Sequence, residues 1–518
     1  MRKFPVIVGT LAACIALQVH ALAFSLKTVP LTHPANGDLV LLSSDPEANK
    51  SPASHSLVDN SPSDNSLPDN SLPDNPRIKN HLAVSGHAAD GRWLSVINLE
   101  NFSARSITIP TQAQFFSAMK LSGHTGKQLV FHTTEGVSHY SLSNNTLSPL
   151  VKTSSIYALA DQKRLRHTDI VVDVNNDGLS DLLIADFTRY HLWSQRDDGS
   201  FAHFPLTVDA TVDTYEEVPR YSPRKPYLVD INLDDKTDIV FARDDQLLIF
   251  TQDKDGSFPE QARVYRPGMT ISSDSEASLR PGDGRNYDGL VINRLFDVTD
   301  LDGDDLADII IRREKFADAL EQNYDYLIHY GRAGDEGLYF EAKPDTRINT
   351  HGIQFESVFA DIDGDGRKDF YTPSVHFGLG LMVRALISGN AGMEVQFYRM
   401  KPDRSFNEKP DHIHKTTASI SISGGRVDLP LFQLAGHVDK TYKDLWVGEK
   451  QQRLIVNRSD EKQLFDRERL QFNVALPRDG SKVRVMDVNN DGQDDLVLPF
   501  DAQEKKELRN QVHFLMVK

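Results

Sequence analysis

Asp361-Ile362-Asp363-Gly364-Asp365-Gly366-Arg367-Lys368-Asp369 sets side-chain oxygens at the first, third, fifth and ninth positions of a nine-residue stretch and then passes into the apolar run Phe370-Tyr371. Four other stretches repeat the pattern. They are Asp173-Val-Asn175-Asn-Asp177-Gly178-Leu179-Ser-Asp181, Asp230-Ile-Asn232-Leu-Asp234-Asp235-Lys236-Thr-Asp238, Asp300-Leu-Asp302-Gly-Asp304-Asp305-Leu306-Ala-Asp308 and Asp487-Val-Asn489-Asn-Asp491-Gly492-Gln493-Asp-Asp495. Each runs into a short strand-like segment, such as Leu182-Leu-Ile-Ala or Ile309-Ile-Ile. A repeat at this spacing in a chain of 518 residues, too long for one ordinary core, implies a ring or stack of repeated units.

Alternate Asp and Asn side chains on a tightly curled loop converge on one point, the arrangement a hard cation such as Ca2+ requires with its six to eight oxygen ligands. The backbone carbonyl at the seventh position, from Leu179, Lys236, Leu306, Arg367 or Gln493, would add one more. Gly178, Gly366 and Gly492 permit the sharp turn at position six, and Asp235 and Asp305 stand there in two copies, where a left-handed backbone is expected. The twelfth positions, Ile184, Phe241, Ile311, Thr372 and Leu498, lack the bidentate Glu of a helix–loop–helix calcium site. The ninth Asp is therefore expected to close the cage as a strand begins. Acidic surface turns without metal are the plain alternative for any one copy, and five matching copies weigh against it.

These loops, with the apolar strands that follow them, resemble the FG-GAP or VCBS repeats found in the propeller of integrin α-subunits. Literal Gly-Ala-Pro signatures are absent, so the chain looks closer to the bacterial VCBS type. The resemblance covers most of residues 120–518. It implies an all-β propeller of four-stranded blades, with calcium loops between the first and second strands of five blades, and about five structural Ca2+ ions; it says little about ligand.

Loop starts at 173, 230, 300, 361 and 487 leave one double gap, filled by Gly436–Val447, where Val438 and Lys440 replace ligands and no metal is expected. A similar ligand-poor unit ends at Gln128-Leu-Val-Phe131. After each loop comes an apolar strand, a polar turn and an aromatic-bearing stretch read as a further strand: Leu192 to Phe201, Leu248 to Phe258, Leu327 to Phe340, Phe397 to Phe406 and Leu454 to Phe465. Two strands around the loop and two in this hairpin make one blade. Seven units follow residue 110, and His81–Pro110 supplies further strands, so eight blades are favoured over seven. The chain ends on a third strand, Val512–Val517, so an N-terminal strand near Phe24–Leu31 is expected to close the ring. The division read from sequence is a signal peptide at 1–23, N-terminal strands at 24–44, a low-complexity loop of Ser-Leu-Pro-Asp-Asn type repeats at 45–80 and the propeller at 81–518. A short helix is expected over Gly378–Ser388.

Arg2 and Lys3, the apolar run Val6–Val19 and Ala21-Leu22-Ala23 read as an export signal with cleavage near Phe24. Lipoprotein processing at Cys14 is disfavoured because the apolar run continues past it. Cys14 is the single cysteine, so the mature chain would have no disulfide, and metal is the expected staple. The formal charge of −17, or −19 without Arg2 and Lys3, disfavours nucleic acid and anionic lipid as partners. The proposed ligands include 17 aspartates, nearly the whole excess.

No nucleotide loop, GxSxG elbow or HExxH helix occurs. The leading expectation is a secreted or periplasmic binding, adhesion or assembly scaffold, with a glycan or protein at its loop faces, no transmembrane segment in the mature chain and an oligomeric state left open. Insertions at 266–290 and 374–394 are the candidate binding loops. A polysaccharide lyase is the alternative, with Tyr324, Tyr326, His329, His412 and His414 to inspect, and a structural envelope subunit is the third reading. Aromatic shelves on one face would favour glycan binding; a central Tyr, His and Arg cluster would favour the enzyme.

Overall fold

The computed structural model describes residues 23–42 and 80–517, except 90, 161–162, 216–217, 272–288, 317–321, 336, 376–387, 422–425, 438, 461–463, 466–467, 490 and 503. The export signal with Cys14, most of the low-complexity segment, Val438 and nearly all of the expected short helix fall outside the described residues.

Eight antiparallel sheets of four principal strands form an all-β propeller. Blade 3 consists of Val171–Val172, Asp181–Ala185, Tyr190–Gln195 and Phe201–Leu206, each strand paired with the next. Blades 4 and 5 repeat this order, with second strands Asp238–Arg243 and Asp308–Phe316, and blade 6 has Asp369–Val375 in the same place. Blade 7 keeps the order without an acidic loop: Phe432–His437 runs almost directly into Asp439–Glu449. Blade 8 is built from both ends of the chain. Arg484–Met486, Asp495–Phe500 and Gln511–Val517 are completed by Phe24–Pro30, which pairs with the last strand from Phe24 opposite Val517 to Pro30 opposite Gln511.

The second strands are apolar on both sides because both sides are covered. Leu182 and Ile184 pack with Met119 and Val130 of blade 2 (Ala113–Lys120, Lys127–Thr133, Gly136–Ser141 and Thr146–Lys152), while Leu183 packs with Ile239 and Phe241 of blade 4. Among the described residues eight apolar clusters join consecutive blades in this way. One of them unites blade 8 with blade 1 (Leu39–Leu42, His81–Ala88, Gly91–Asn98 and Ser103–Ile107), through Val29, Val512 and Phe514 against Leu82 and Val84, so the circle is complete.

The aromatic stretches behave differently from the sequence reading. Phe201 begins the fourth strand of blade 3, but Phe258, Phe340, Phe406 and Phe465 lie in the turn before it. The fourth strands of blades 4 to 7 are Arg263–Tyr265, Thr346–His351, His412–Ser421 and Glu468–Asn473. Those four phenylalanines are buried, filling space between blades. An apolar residue flanked by turn signals reads as a strand locally, while its position here is fixed by the neighbouring blade.

Candidate functional site: the acidic loops and the opposite face

All five acidic loops connect first to second strands, so in an antiparallel blade they share one end of the disc with the turns between third and fourth strands. Turns between second and third strands, and the connections between blades, lie at the other end.

The loops share one internal hydrogen-bond plan. The first-position carboxylate accepts the backbone N–H of position six: Asp173 from Gly178 at 3.0 Å, Asp230 from Asp235 at 2.8 Å, Asp300 from Asp305 at 3.0 Å, Asp361 from Gly366 at 3.1 Å and Asp487 from Gly492 at 2.7 Å. Position five accepts from position seven, as in Leu179 to Asp177 at 2.7 Å, Lys236 to Asp234 at 3.2 Å, Leu306 to Asp304 at 3.0 Å, Arg367 to Asp365 at 2.9 Å and Gln493 to Asp491 at 2.9 Å. Asn175, Asn232, Asp302 and Asn489 accept the position-five N–H at 2.9–3.3 Å. Position six is left-handed throughout, with φ of 79°, 62°, 64°, 83° and 80° from Gly178 to Gly492. Asp235 and Asp305 thus adopt the conformation that glycine takes in the other copies.

The ninth aspartate has a second task that spacing alone did not reveal. Asp181, Asp238, Asp308, Asp369 and Asp495 are buried, each as the first residue of a second strand. One carboxylate oxygen accepts the N–H of loop position two, from Val174, Ile231, Leu301, Ile362 or Val488, at 2.8–3.2 Å. The other accepts an N–H at or just beyond the end of the third strand, from Gln195, Gln252, Gly331, Met400 or Val517, at 2.7–2.9 Å. Burial pushes these carboxyls up, to about 7 for Asp181, Asp369 and Asp495, about 6 for Asp238 and about 8 for Asp308, against the pull of their backbone donors.

Carboxylate oxygens of Asp300, Asp302 and Asp304 lie within 4.8 Å of one another, as do those of Asp361, Asp363 and Asp369. Among the described residues Oδ1 of the buried Asp363 has no hydrogen-bond partner, so this donor set suits a hard cation. Burial and the neighbouring Asp304 raise Asp302 to about 6. The two loops with an extra aspartate at position three also carry a guanidinium on that residue. Arg404 Nη1 is 2.8 Å from Asp302 Oδ2, and Arg399 Nε donates to Asp363 Oδ2 at 2.9 Å. Both arginines come from the turn after the third strand of blade 6. The extra negative charge is offset in place, a pairing that cannot be read from the loops themselves.

The loops are also bolted to the neighbouring blades. Lys368 N–H donates to Leu301 O at 2.7 Å, and Lys443 N–H to Ile362 O at 2.8 Å. Gly364, with φ of 73°, lies against the Thr441 carbonyl where a Cβ would collide, whereas Gly366, at 83°, has open space. Gly364→Ala is therefore expected to cost about 3 kcal/mol and Gly366→Ala about 1 kcal/mol, read from denaturant midpoints.

At the opposite end, Phe187 follows the second strand of blade 3, and Tyr221 sits on a hairpin, Thr211–Tyr215 with Val218–Ser222, between blades 3 and 4. Their rings meet edge to face at 4.8 Å and 86°, although they remain 40% and 37% exposed. Val212 on the same hairpin is 57% exposed. The two insertions singled out from sequence leave from strand ends on this face too, at Tyr265 and Val291 and at Val375 and Asn390.

The residues named for a lyase are not gathered into one open site. Tyr324, Tyr326 and His329 are buried; Tyr326 Oη donates to Gln354 Oε1 at 2.7 Å and shares a hydrogen bond with the Ser357 hydroxyl at 2.8 Å, and His329 Nδ1 meets the Glu341 carbonyl. His412 packs on Phe465 in the next inter-blade seam.

No family model and no curated protein matches this chain. Among solved structures it is similar to an Agrocybe aegerita lectin that specifically recognises non-reducing terminal N-acetylglucosamine, at 16% identity and TM-score 0.42, over 76% of this chain and 90% of that one. It is also similar to the Dos1 propeller, at 10% and 0.36 over 84% and 89%, and to polysaccharide lyase Uly1, at 10% and 0.28 over 94% and 99%. At such identities the likeness is one of fold. No helix among the described residues is long and apolar enough to cross a membrane.

Proposed function

We infer that this chain is an exported, calcium-loaded binding scaffold that takes a glycan or protein partner on the face opposite its acidic loops. The exposed Phe187–Tyr221 pair carries the reading, since large aromatic rings left in water on a loop face are the usual platform for sugar rings and partner side chains. Calcium is supported by five copies of one oxygen-rich loop and by the two carboxylate clusters; the same loops support kinship with FG-GAP or VCBS repeats. Export rests on the basic and apolar N-terminal residues. The metal is structural on this reading: it holds the corners from which the blades are hung.

The test is a glycan array with the wild type and the Phe187→Ala and Tyr221→Ala variants, with and without chelator, beside a lyase assay on uronate polymers. Each substitution is expected to weaken binding at least tenfold, about 1.4 kcal/mol, without a change in melting temperature. Undiminished binding by both variants would remove the aromatic pair from the site, and turnover would move the protein to the enzyme class.

A further inference from the structure

The outer strands of blade 3 carry a histidine pair that neither the acidic loops nor the aromatic face accounts for. His191 on the third strand lies opposite Pro205, and His203 on the fourth lies opposite Trp193, so the two histidines are diagonal neighbours on one side of the sheet. Nδ1 of His191 and Nε2 of His203 are 2.9 Å apart, with ring centroids separated by 5.1 Å and planes inclined by 26°. The two nitrogens face each other across a single proton.

Both rings are held in place. Nε2 of His191 is 3.4 Å from Asp186 Oδ2, which also accepts the Ser154 hydroxyl at 2.6 Å, and Trp193 stacks on His203 at 4.1 Å and 20°. A carboxylate behind one imidazole nitrogen keeps the proton on that side and leaves the other nitrogen free to ligate, which is the outer-shell arrangement of protein metal sites. His191 is largely covered, with 12% of its side chain exposed, while His203 opens to solvent.

We propose that His191 Nδ1 and His203 Nε2 form a binding site for a divalent first-row transition ion of the Cu2+ or Zn2+ class, with Asp186 as positioning residue and water completing the coordination. Binding moves the His203 proton from Nε2 to its Nδ1 through solvent, so a neutral pair takes up the ion without net loss of a proton. A small tilt of the exposed ring brings both lone pairs onto the metal.

The experiment is a Cu2+ titration of tag-free protein in excess calcium, read by tryptophan fluorescence and calorimetry, with Zn2+ as competitor. One equivalent of Cu2+ is expected to quench Trp193, with at least tenfold weaker binding in His191→Gln and in His203→Gln. Asp186→Asn should weaken it by about 10- to 100-fold. Trp193→Phe should abolish the quench yet keep the calorimetric affinity, and melting curves in calcium verify that each variant is folded. No saturable binding by the wild type up to about 1 mM Cu2+, well above the affinities of built imidazole sites, would overturn the proposal. So would equal binding by the double variant His191→Gln, His203→Gln.

Discussion

A chain that begins at residue 32 is expected not to form a stable monomeric disc. It lacks the fourth strand of blade 8, and with it seven register pairs along Gln511–Val517. It also loses Val29, fully buried between blades 8 and 1, and Phe24, whose ring meets Phe472 at 4.6 Å and Trp446 at 5.3 Å. Phe24 is half-buried, so Phe24→Ala should cost about 1–2 kcal/mol, less than truncation of a core aromatic, and lower the melting temperature by a few degrees. The truncated chain should go further. With Gln511–Val517 left as an open edge, it is expected to elute from size-exclusion chromatography as aggregates. Elution as a monomer with unchanged melting would mean that the ring does not need its closing strand.

Asp308→Ala is the second large effect. The substitution strands two buried donors, Leu301 N–H and Gly331 N–H, each at about 1–3 kcal/mol, so a loss of about 4 kcal/mol is expected from denaturant midpoints. Asp308→Asn keeps one acceptor oxygen and should lose about half as much. The same residue sets a pH dependence. Its folded pKa, raised by burial to about 8, lies above the ordinary carboxyl value, so the folded state of the metal-free protein holds the proton more tightly than the unfolded chain. Stability from this group is therefore full at low pH and is lost as pH rises towards 8. Asp181, Asp238, Asp369 and Asp495 act in the same direction at about 6 to 7. On the proposed calcium reading the ion would compete with those protons, so its stabilising effect should grow with pH, reaching about 1.4 kcal/mol per site at ten times the dissociation constant. A melting temperature that ignores exhaustive chelation at pH 8 would count against metal in these loops.

What the sequence made legible is whatever repeats locally. Each ninth aspartate does open a second strand, position six is left-handed even where Asp235 and Asp305 replace glycine, and eight blades are present. What it hid depends on the angle between one blade and the next. Phe258 and its three counterparts looked like strand residues because their neighbours are turn formers, yet they are wedges between sheets. Arg399 and Arg404 are an ordinary pair of turn arginines until the turn is laid against the loops of blades 5 and 6. The His191–His203 pair was within reach, since a hairpin turning at Asp197-Asp198-Gly199 puts Trp193 opposite His203 and His191 one step along the diagonal. Reading that register requires choosing the turn correctly first.

The clasp of blade 8 also dictates an order of events. Phe24 and Val517 face each other although they lie 493 positions apart in the chain, so a ribosome delivers the two halves of the clasp far apart in time. Closing so long a span costs roughly 3–4 kcal/mol more configurational entropy than closing a ten-residue hairpin. That is a modest thermodynamic penalty, but a long wait: the first strand must stay unpaired until Gln511–Val517 has been made, and the disc acquires the stability of its closed ring in one late step.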